Sequence, residues 1–160
     1  MDTLYFDVLQ FVYHLALAVL VGGALVLGSA AAPGIFRTVR SRAEAGTIFG
    51  AVLARYEQLA VLSVVAVVLT SVLKFAAFED LSPGPRLYAR WVALGLLVAL
   101  VLYGSVWAGP VARAIRARTP EYDDLPEAHP ARREFAQLHR SASKAMRVAV
   151  VIGLVALFLS

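Results

Sequence analysis

Residues 59–73 read LAVLSVVAVVLTSVL, without one charged side chain, and they sit inside one of four long apolar stretches. A hydrocarbon core about 30 Å thick is crossed by roughly 20 mostly apolar residues in a helix. Within lipid the backbone must satisfy its own hydrogen bonds, which leaves helices or closed barrels. The runs are continuous rather than alternating with period two, which selects helix. We place the spans at about 4–32, 53–78, 88–108 and 141–160, the last counted back from Ser160. Pro33-Gly34 and Gly109-Pro110 are expected to stop the first and third. The expected fold is an all-α, integral membrane four-helix bundle. It forms one transmembrane domain over 1–160, with 109–140 as a cytoplasmic loop and helix.

Composition agrees. The chain is 60% hydrophobic and 16% charged, against about 45–50% and 25% in soluble domains. It has no cysteine, which excludes a disulfide framework and thiolate metal sites. The first run has Ala30-x-Ala32, like a signal-peptide cleavage site, but it starts with Asp2 and Asp7 and has no Lys or Arg before Arg37. It is also longer than the roughly 7–15 residues of a signal peptide's apolar region.

Basic residues set the orientation. The first and third connections, with their flanks, hold 12 of the 15 Lys and Arg, and the second holds Lys74, Arg86 and Arg90. By the positive-inside rule the first and third are cytoplasmic, and both termini lie outside. The net charge of +4 then reads as cytoplasmic loops against anionic lipid rather than as a nucleic-acid surface. The expected location is the cell inner (plasma) membrane, multi-pass. The second connection, "EDLSPGPR", reads as a tight turn, and "TPEYDDLPEAHP" in the third as an exposed loop.

The chain echoes itself. "GSAAAPGIFRTVRSR" from Gly28 and "GSVWAGPVARAIRAR" from Gly104 align at a constant offset of 76. Gly28, Ser29, Arg37, Arg40 and Arg42 then meet Gly104, Ser105, Arg113, Arg116 and Arg118. Two parallel helical hairpins would produce this pattern. So would any two spans that exit to the cytoplasm through a helix breaker and arginines.

Ionisable groups within spans mark candidate sites. On a wheel of about 100° per residue, Asp7, Gln10 and His14 share a face of the first span and are expected to point inward. Ser63, Thr70 and Lys74 share a face of the second. Ala24, Gly28 and Ala32 form a small-xxx-small pattern, one possible homodimer contact. In "FAQLHRSASKAMRVAVV" (135–151), His139, Arg140, Ser143, Lys144 and Arg147 lie on one side of the helix. Phe135, Leu138, Ala142, Met146 and Ala149 lie on the other. This gives an outer polar cluster of Asp7, Gln10, His14 and Lys74, with Arg90 near it. The inner cluster is Arg55, Tyr56, Glu57, His139, Arg140, Ser143, Lys144 and Arg147. Glu57 is expected to pair with Arg147 or Lys144. These groups either hold the bundle and touch lipid phosphates, or they form a cytoplasm-facing anion or substrate pocket.

"YHLALAVLVGGALVLGSAAAPGIFR" resembles the first segment of the transmembrane protein 205-like family, through His14, Gly22, Gly23, Ala32, Pro33 and Phe36. "AGTIFGAVLARYEQL" is similar to its second segment, through Gly46, Phe49, Arg55 and Tyr56. "FAQLHRSAS" resembles its closing signature, through Phe135, Leu138, His139 and Ser143. Leu20 and Val21 replace the family's usual aromatic before Gly-Gly, and Lys144 to Arg147 replace its later Asn. The resemblance implies a four-helix membrane protein of undefined biochemistry, with export or drug resistance in a eukaryotic relative. The first segment is more loosely similar to copper resistance protein D and to haem-dependent protoporphyrinogen oxidases.

Transport or export of a small solute or ion is the leading expectation, a non-catalytic scaffold or accessory subunit the alternative, and a haem- or metal-binding redox protein, with haem on a single His and another ligand, the least favoured reading. No enzyme is expected, since there is no phosphate loop, nucleophile elbow or metalloprotease motif. No cofactor is expected either. His14 lies about 27 Å along its helix from Ala32, so one chain does not bring it and His139 to one haem iron. Soft metals need thiolate or thioether ligands, and only Met1 and Met146 are present. His14 with Asp7 supplies two ligands, too few for a defined metal site.

Overall fold

The computed structural model describes residues 2–78 and 84–160, and in them the apolar runs are helices. The order is α1 (Asp2–Val26), a π-helical segment (Leu27–Ala31), α2 (Ala32–Thr38), α3 (Arg42–Phe78), α4 (Pro85–Leu102), a second π-helical segment (Tyr103–Ala108), α5 (Gly109–Arg118), a 3-10 turn (Tyr122–Asp124) and α6 (Pro130–Phe158). Four continuous helices long and apolar enough to cross a membrane result: Thr3–Thr38, Arg42–Phe78, Pro85–Arg118 and Pro130–Phe158.

The proline pairs do not stop the first and third helices. Proline lacks the N–H that would bond residue i−4, and its ring clashes with that carbonyl. The i−4 residues of Pro33 and Pro110 are Ser29 and Val106, and each lies inside a π segment. There the ladder widens to i→i−5: Ala32 N–H donates to Leu27 O, and Gly109 N–H to Gly104 O. The helix absorbs the proline and runs on. The two π segments start 76 residues apart, the offset of the sequence echo. The second is one residue longer, and its proline also comes one residue later relative to the repeat. Exit to one side of a membrane accounts for a breaker and arginines. The π widening follows from the proline in each copy and fits either reading.

Helix starts follow local chemistry. Ser41 Oγ accepts from Glu44 N–H at 3.4 Å at the start of α3, the first half of a Ser-x-x-Glu capping box. Gly84 in extended conformation leads into Pro85 at the head of α4. His129 Nδ1 accepts from Ala131 N–H ahead of α6. The rest of the turn expected in "EDLSPGPR", at 79–83, lies outside the described residues.

The helices alternate in direction. α1 packs on α3 and α6, α4 on α6 and α3, and α5 on α6. Tyr13, Leu17 and Leu20 of α1 meet Val64 and Val67 of α3, Leu94 and Leu97 of α4, and Ala149 and Ala156 of α6 in one core. These recur at three- and four-residue spacing, one stripe per helix. Close approach relies on glycine at two crossings. A methyl on Gly23 would lie 2.6 Å from the Tyr56 ring, and one on Gly153 2.5 Å from Val21 Cγ2. Outward faces stay apolar, with Leu62 at 65% exposure and Val92 at 62%. Soluble proteins rarely expose such a continuous apolar surface; lipid is its solvent.

Candidate functional site

Glu57, on the buried side of α3, forms an ion pair with Arg113 of α5, Oε2 to Nη2 at 2.6 Å. Its expected partners do not reach it. Arg147 and Lys144 are both exposed, and Arg147 Nε donates instead to Ser143 O of its own helix. Helical depth places Arg147 near Glu57, and both line the same cavity, but they do not pair. α5 delivers Arg113 because the third helix continues past Pro110. Gly109 makes the approach possible, since a Cβ there would collide with Glu57 Oε1. The pair is not an aligned hydrogen bond, which leaves Glu57 Oε2 without one; the buried Arg113 Nη1, outside the pair, also has no hydrogen-bond partner.

Beside Glu57, the Tyr56 hydroxyl donates to Leu20 O at 2.7 Å and ties α3 to α1. Other members of the inner cluster are spread along one rim. His139 stacks on Phe135, rings 5.9 Å apart and 3° from parallel. Arg55, His139, Arg140, Lys144 and Arg147 are exposed, and Ser143 is half-buried. The apolar side of this stretch packs inward through Leu138, Ala145 and Ala149.

These groups surround an open cavity of about 2010 Å³. Tyr56, Glu57, Arg113, Arg140, Ser143 and Arg147 contribute to its wall, whereas Arg55 and Lys144 do not. Its inner part is apolar, formed by Leu20, Ala24, Leu27, Val101 and Ala149. Gly28 and Ala32 of the small-xxx-small pattern also face this space.

The acidic loop is exposed as expected over most of its length, with Tyr122 as the exception. Glu121 takes the left-handed conformation, with φ of 50°, and turns Tyr122 inward to 8% exposure. The Tyr122 ring packs edge-on against Phe135 at 5.5 Å. Arg116 and Arg132 lie over it at 5.8 and 5.9 Å. Arg116 also reaches Asp123 at 2.8 Å and Ala43 O at 3.1 Å, while Arg132 donates to Leu125 O. Burial raises the Tyr122 phenol pKa above its ordinary value, with Arg132 and Arg116 opposing.

At the other end, Lys74 Nζ donates to Gln10 Oε1. Gln10 Nε2 meets His14 Nε2 at 3.0 Å, and the same ring nitrogen meets Ser160 Oγ at 2.8 Å. Lys74 is buried and lies 5.2 and 5.3 Å from the rings of Phe6 and Tyr13. Three of the four residues expected in the outer cluster therefore come together. Asp7 does not join them and is exposed; the centre of the buried stripe runs through Tyr13 and Leu17 instead. Ser63 and Thr70 are buried on the Lys74 face, and Arg90 is buried too. Between this cluster and the cavity lie Leu17, Leu20, Val67 and Leu97, none more than 1% exposed. Among the described residues, no three His, Cys, Asp or Glu side chains gather as metal ligands.

Sequence reading missed Arg113 as the partner of Glu57, and Tyr122 and Ser160 as participants. The echo in the sequence was the available signal for Arg113, because it places that arginine just after the second helix-breaking pair.

Four apolar membrane-length helices and polar groups gathered at the two ends of an apolar core define an integral, multi-pass membrane protein. More specifically, residues 15–121 match the family described as Domain of unknown function (DUF4149), and the chain belongs to that family. The matched part holds both π segments and the Glu57–Arg113 pair; α6 lies beyond it. No curated protein and no solved structure matches the chain.

Proposed function

We propose that the chain is a carrier for a small solute or ion, and not an enzyme. The observation that carries this reading is the cavity. It enters from the arginine-rich end, reaches the bundle core, and is sealed by Leu17, Leu20, Val67 and Leu97 from the buried Lys74–Gln10–His14 cluster. Two polar stations separated by a thin apolar seal suit alternating access. The resemblance to the transmembrane protein 205-like family supports an export or resistance role.

By the distribution of Lys and Arg, the cavity opens to the cytoplasm of a plasma membrane and both termini lie outside. Anionic lipid would hold the cytoplasmic rim, and a second copy is one way to close the cavity's open side. Reporter fusions at each terminus test the orientation, and a cytoplasmic signal at either end overturns it.

The main test is release of trapped small anions and neutral solutes from proteoliposomes. Faster release of at least one solute than from protein-free vesicles is expected, reduced by Glu57→Gln and by Arg113→Gln. Release no faster than protein-free vesicles for every solute overturns the carrier reading in favour of a membrane scaffold.

A further inference from the structure

The helix glycines fall into two groups. Gly23, Gly46, Gly109 and Gly153 sit where an added methyl would strike a neighbouring helix or side chain. Gly22, Gly28, Gly34, Gly50, Gly95 and Gly104 have nothing within 4 Å of a Cβ, and of these Gly28, Gly50 and Gly104 line the cavity. Glycine inside a helix is destabilising relative to alanine. At these three positions the chain's own packing gives no reason for it. Gly28 and Gly104 are also equivalent in the repeat and stand in the two π segments. The effect is a smooth groove between apolar walls, wider than side chains would leave it.

The arginines divide in the same way. Arg116 and Arg132 are engaged by Asp123, Tyr122 and backbone carbonyls. Five others line the cavity with side-chain donors in reserve: Arg42, Arg133, Arg113, Arg140 and Arg147. Arg113 Nη1 has no hydrogen-bond partner. Arg147 uses only Nε, on Ser143 O. Arg140 makes no hydrogen bond or ion pair among the described residues. A guanidinium offers a planar fork of donors suited to carboxylate and phosphate oxygens.

We propose that the cavity binds an amphiphilic anion. Its phosphate or carboxylate head sits among Arg113, Arg140 and Arg147, and its alkyl chain lies along Gly28, Gly50 and Gly104. A small inorganic anion would leave the apolar groove empty. A neutral apolar molecule would leave the guanidinium donors unused. Glu57 keeps Arg113 oriented through Nη2 in the cavity wall. As a statement about cargo this rests on the carrier reading; the binding itself does not.

The test is equilibrium binding to the purified full-length chain in neutral detergent, followed by native mass spectrometry. The probes are dodecyl phosphate, inorganic phosphate, dodecanol and dioleoyl phosphatidate. Dodecyl phosphate is expected to bind at least tenfold more tightly than inorganic phosphate or dodecanol. Replacing Arg113 and Arg147 together by Gln should weaken it at least tenfold. Gly104→Leu, and separately Gly28→Leu, should block it by filling the groove, with the thermal midpoint showing that each variant is folded. Phosphatidate binding as tightly as dodecyl phosphate assigns the site to a bilayer lipid, and weaker binding assigns it to a single-chain amphiphile. Equal binding of dodecanol and dodecyl phosphate, equal binding of inorganic phosphate, or retained binding in folded groove-filling variants overturns the proposal. Solute release without dodecyl phosphate binding refutes this inference and leaves the carrier reading standing. Binding without release of any solute does the reverse.

Discussion

Glu57 and Arg113 face each other across α3 and α5 at 2.6 Å, yet they are not equally buried. The Glu57 side chain is 8% exposed and that of Arg113 36%. Removing either partner leaves a charge behind, and the penalty grows with the burial of the charge that remains. Arg113→Gln strands a buried carboxylate and should destabilise by about 2–3 kcal/mol, a value reduced for the partial exposure of the pair. Glu57→Gln leaves a guanidinium that still reaches water and should cost about 1 kcal/mol. Reversible unfolding in mixed micelles measures both, and a larger effect of Glu57→Gln contradicts this account.

The glycines separate in stability as they do in packing. Gly50→Ala meets no neighbour within 4 Å and should stabilise by about 0.5–1 kcal/mol through lower backbone entropy in the unfolded chain. Gly153→Ala drives a methyl to 2.5 Å from Val21 Cγ2 and should destabilise by about 1–3 kcal/mol. Thermal midpoints in detergent check the opposite signs.

Pro33 and Pro110 hold the π segments open in this account. Restoring an N–H by Pro33→Ala lets residue 33 bond to Ser29 O, so the local ladder should tighten toward α. Amide exchange over 28–34 is expected to slow by at least about tenfold, less than the full penalty of about 3 kcal/mol for proline in a helix interior because the π segment already relieves part of it. Hydrogen–deuterium exchange by mass spectrometry reads this directly. Unchanged exchange would mean that packing, rather than the proline, sets the π geometry.

Tyr122 makes the acidic loop sensitive to alkali. Its phenol pKa is raised from 10.0 by burial, so the folded state holds the proton more tightly than the unfolded chain. The stabilisation from the docked neutral ring is therefore complete below pH 10 and is lost as pH rises through the raised folded value. Proteolysis within 119–129 should accelerate above pH 10 in the wild type. Tyr122→Phe should abolish that acceleration, and Tyr122→Ala should permit cleavage at neutral pH.

Much of the candidate site was already visible in residue order. Gln10, His14 and Lys74 were grouped by helical spacing and do meet, because an α1–α3 hairpin brings their levels together. Glu57 was recognisable as an acid inside a span. Its partner was not, because proline and glycine read as the end of a helix and the widened π turn that carries the chain onward leaves no composition signal. Arg147 misled for a related reason: depth follows from counting residues, whereas pairing depends on how α6 rolls against α4 and α5.

What the sequence determined by itself was the number of membrane-length helices and the polar sides of α3 and α6. It also held the echo at an offset of 76. Those follow from local physics, since apolar length answers to bilayer thickness and side-chain direction to the helical repeat. Tertiary structure decided which charges meet, that Asp7 stays outside the outer cluster while Tyr122 folds inward, and that Gly28, Gly50 and Gly104 border the cavity. Such outcomes depend on the relative roll and tilt of whole helices. Those are fixed by the sum of many weak contacts between distant segments, such as Val21 against Gly153 and Tyr56 against Gly23.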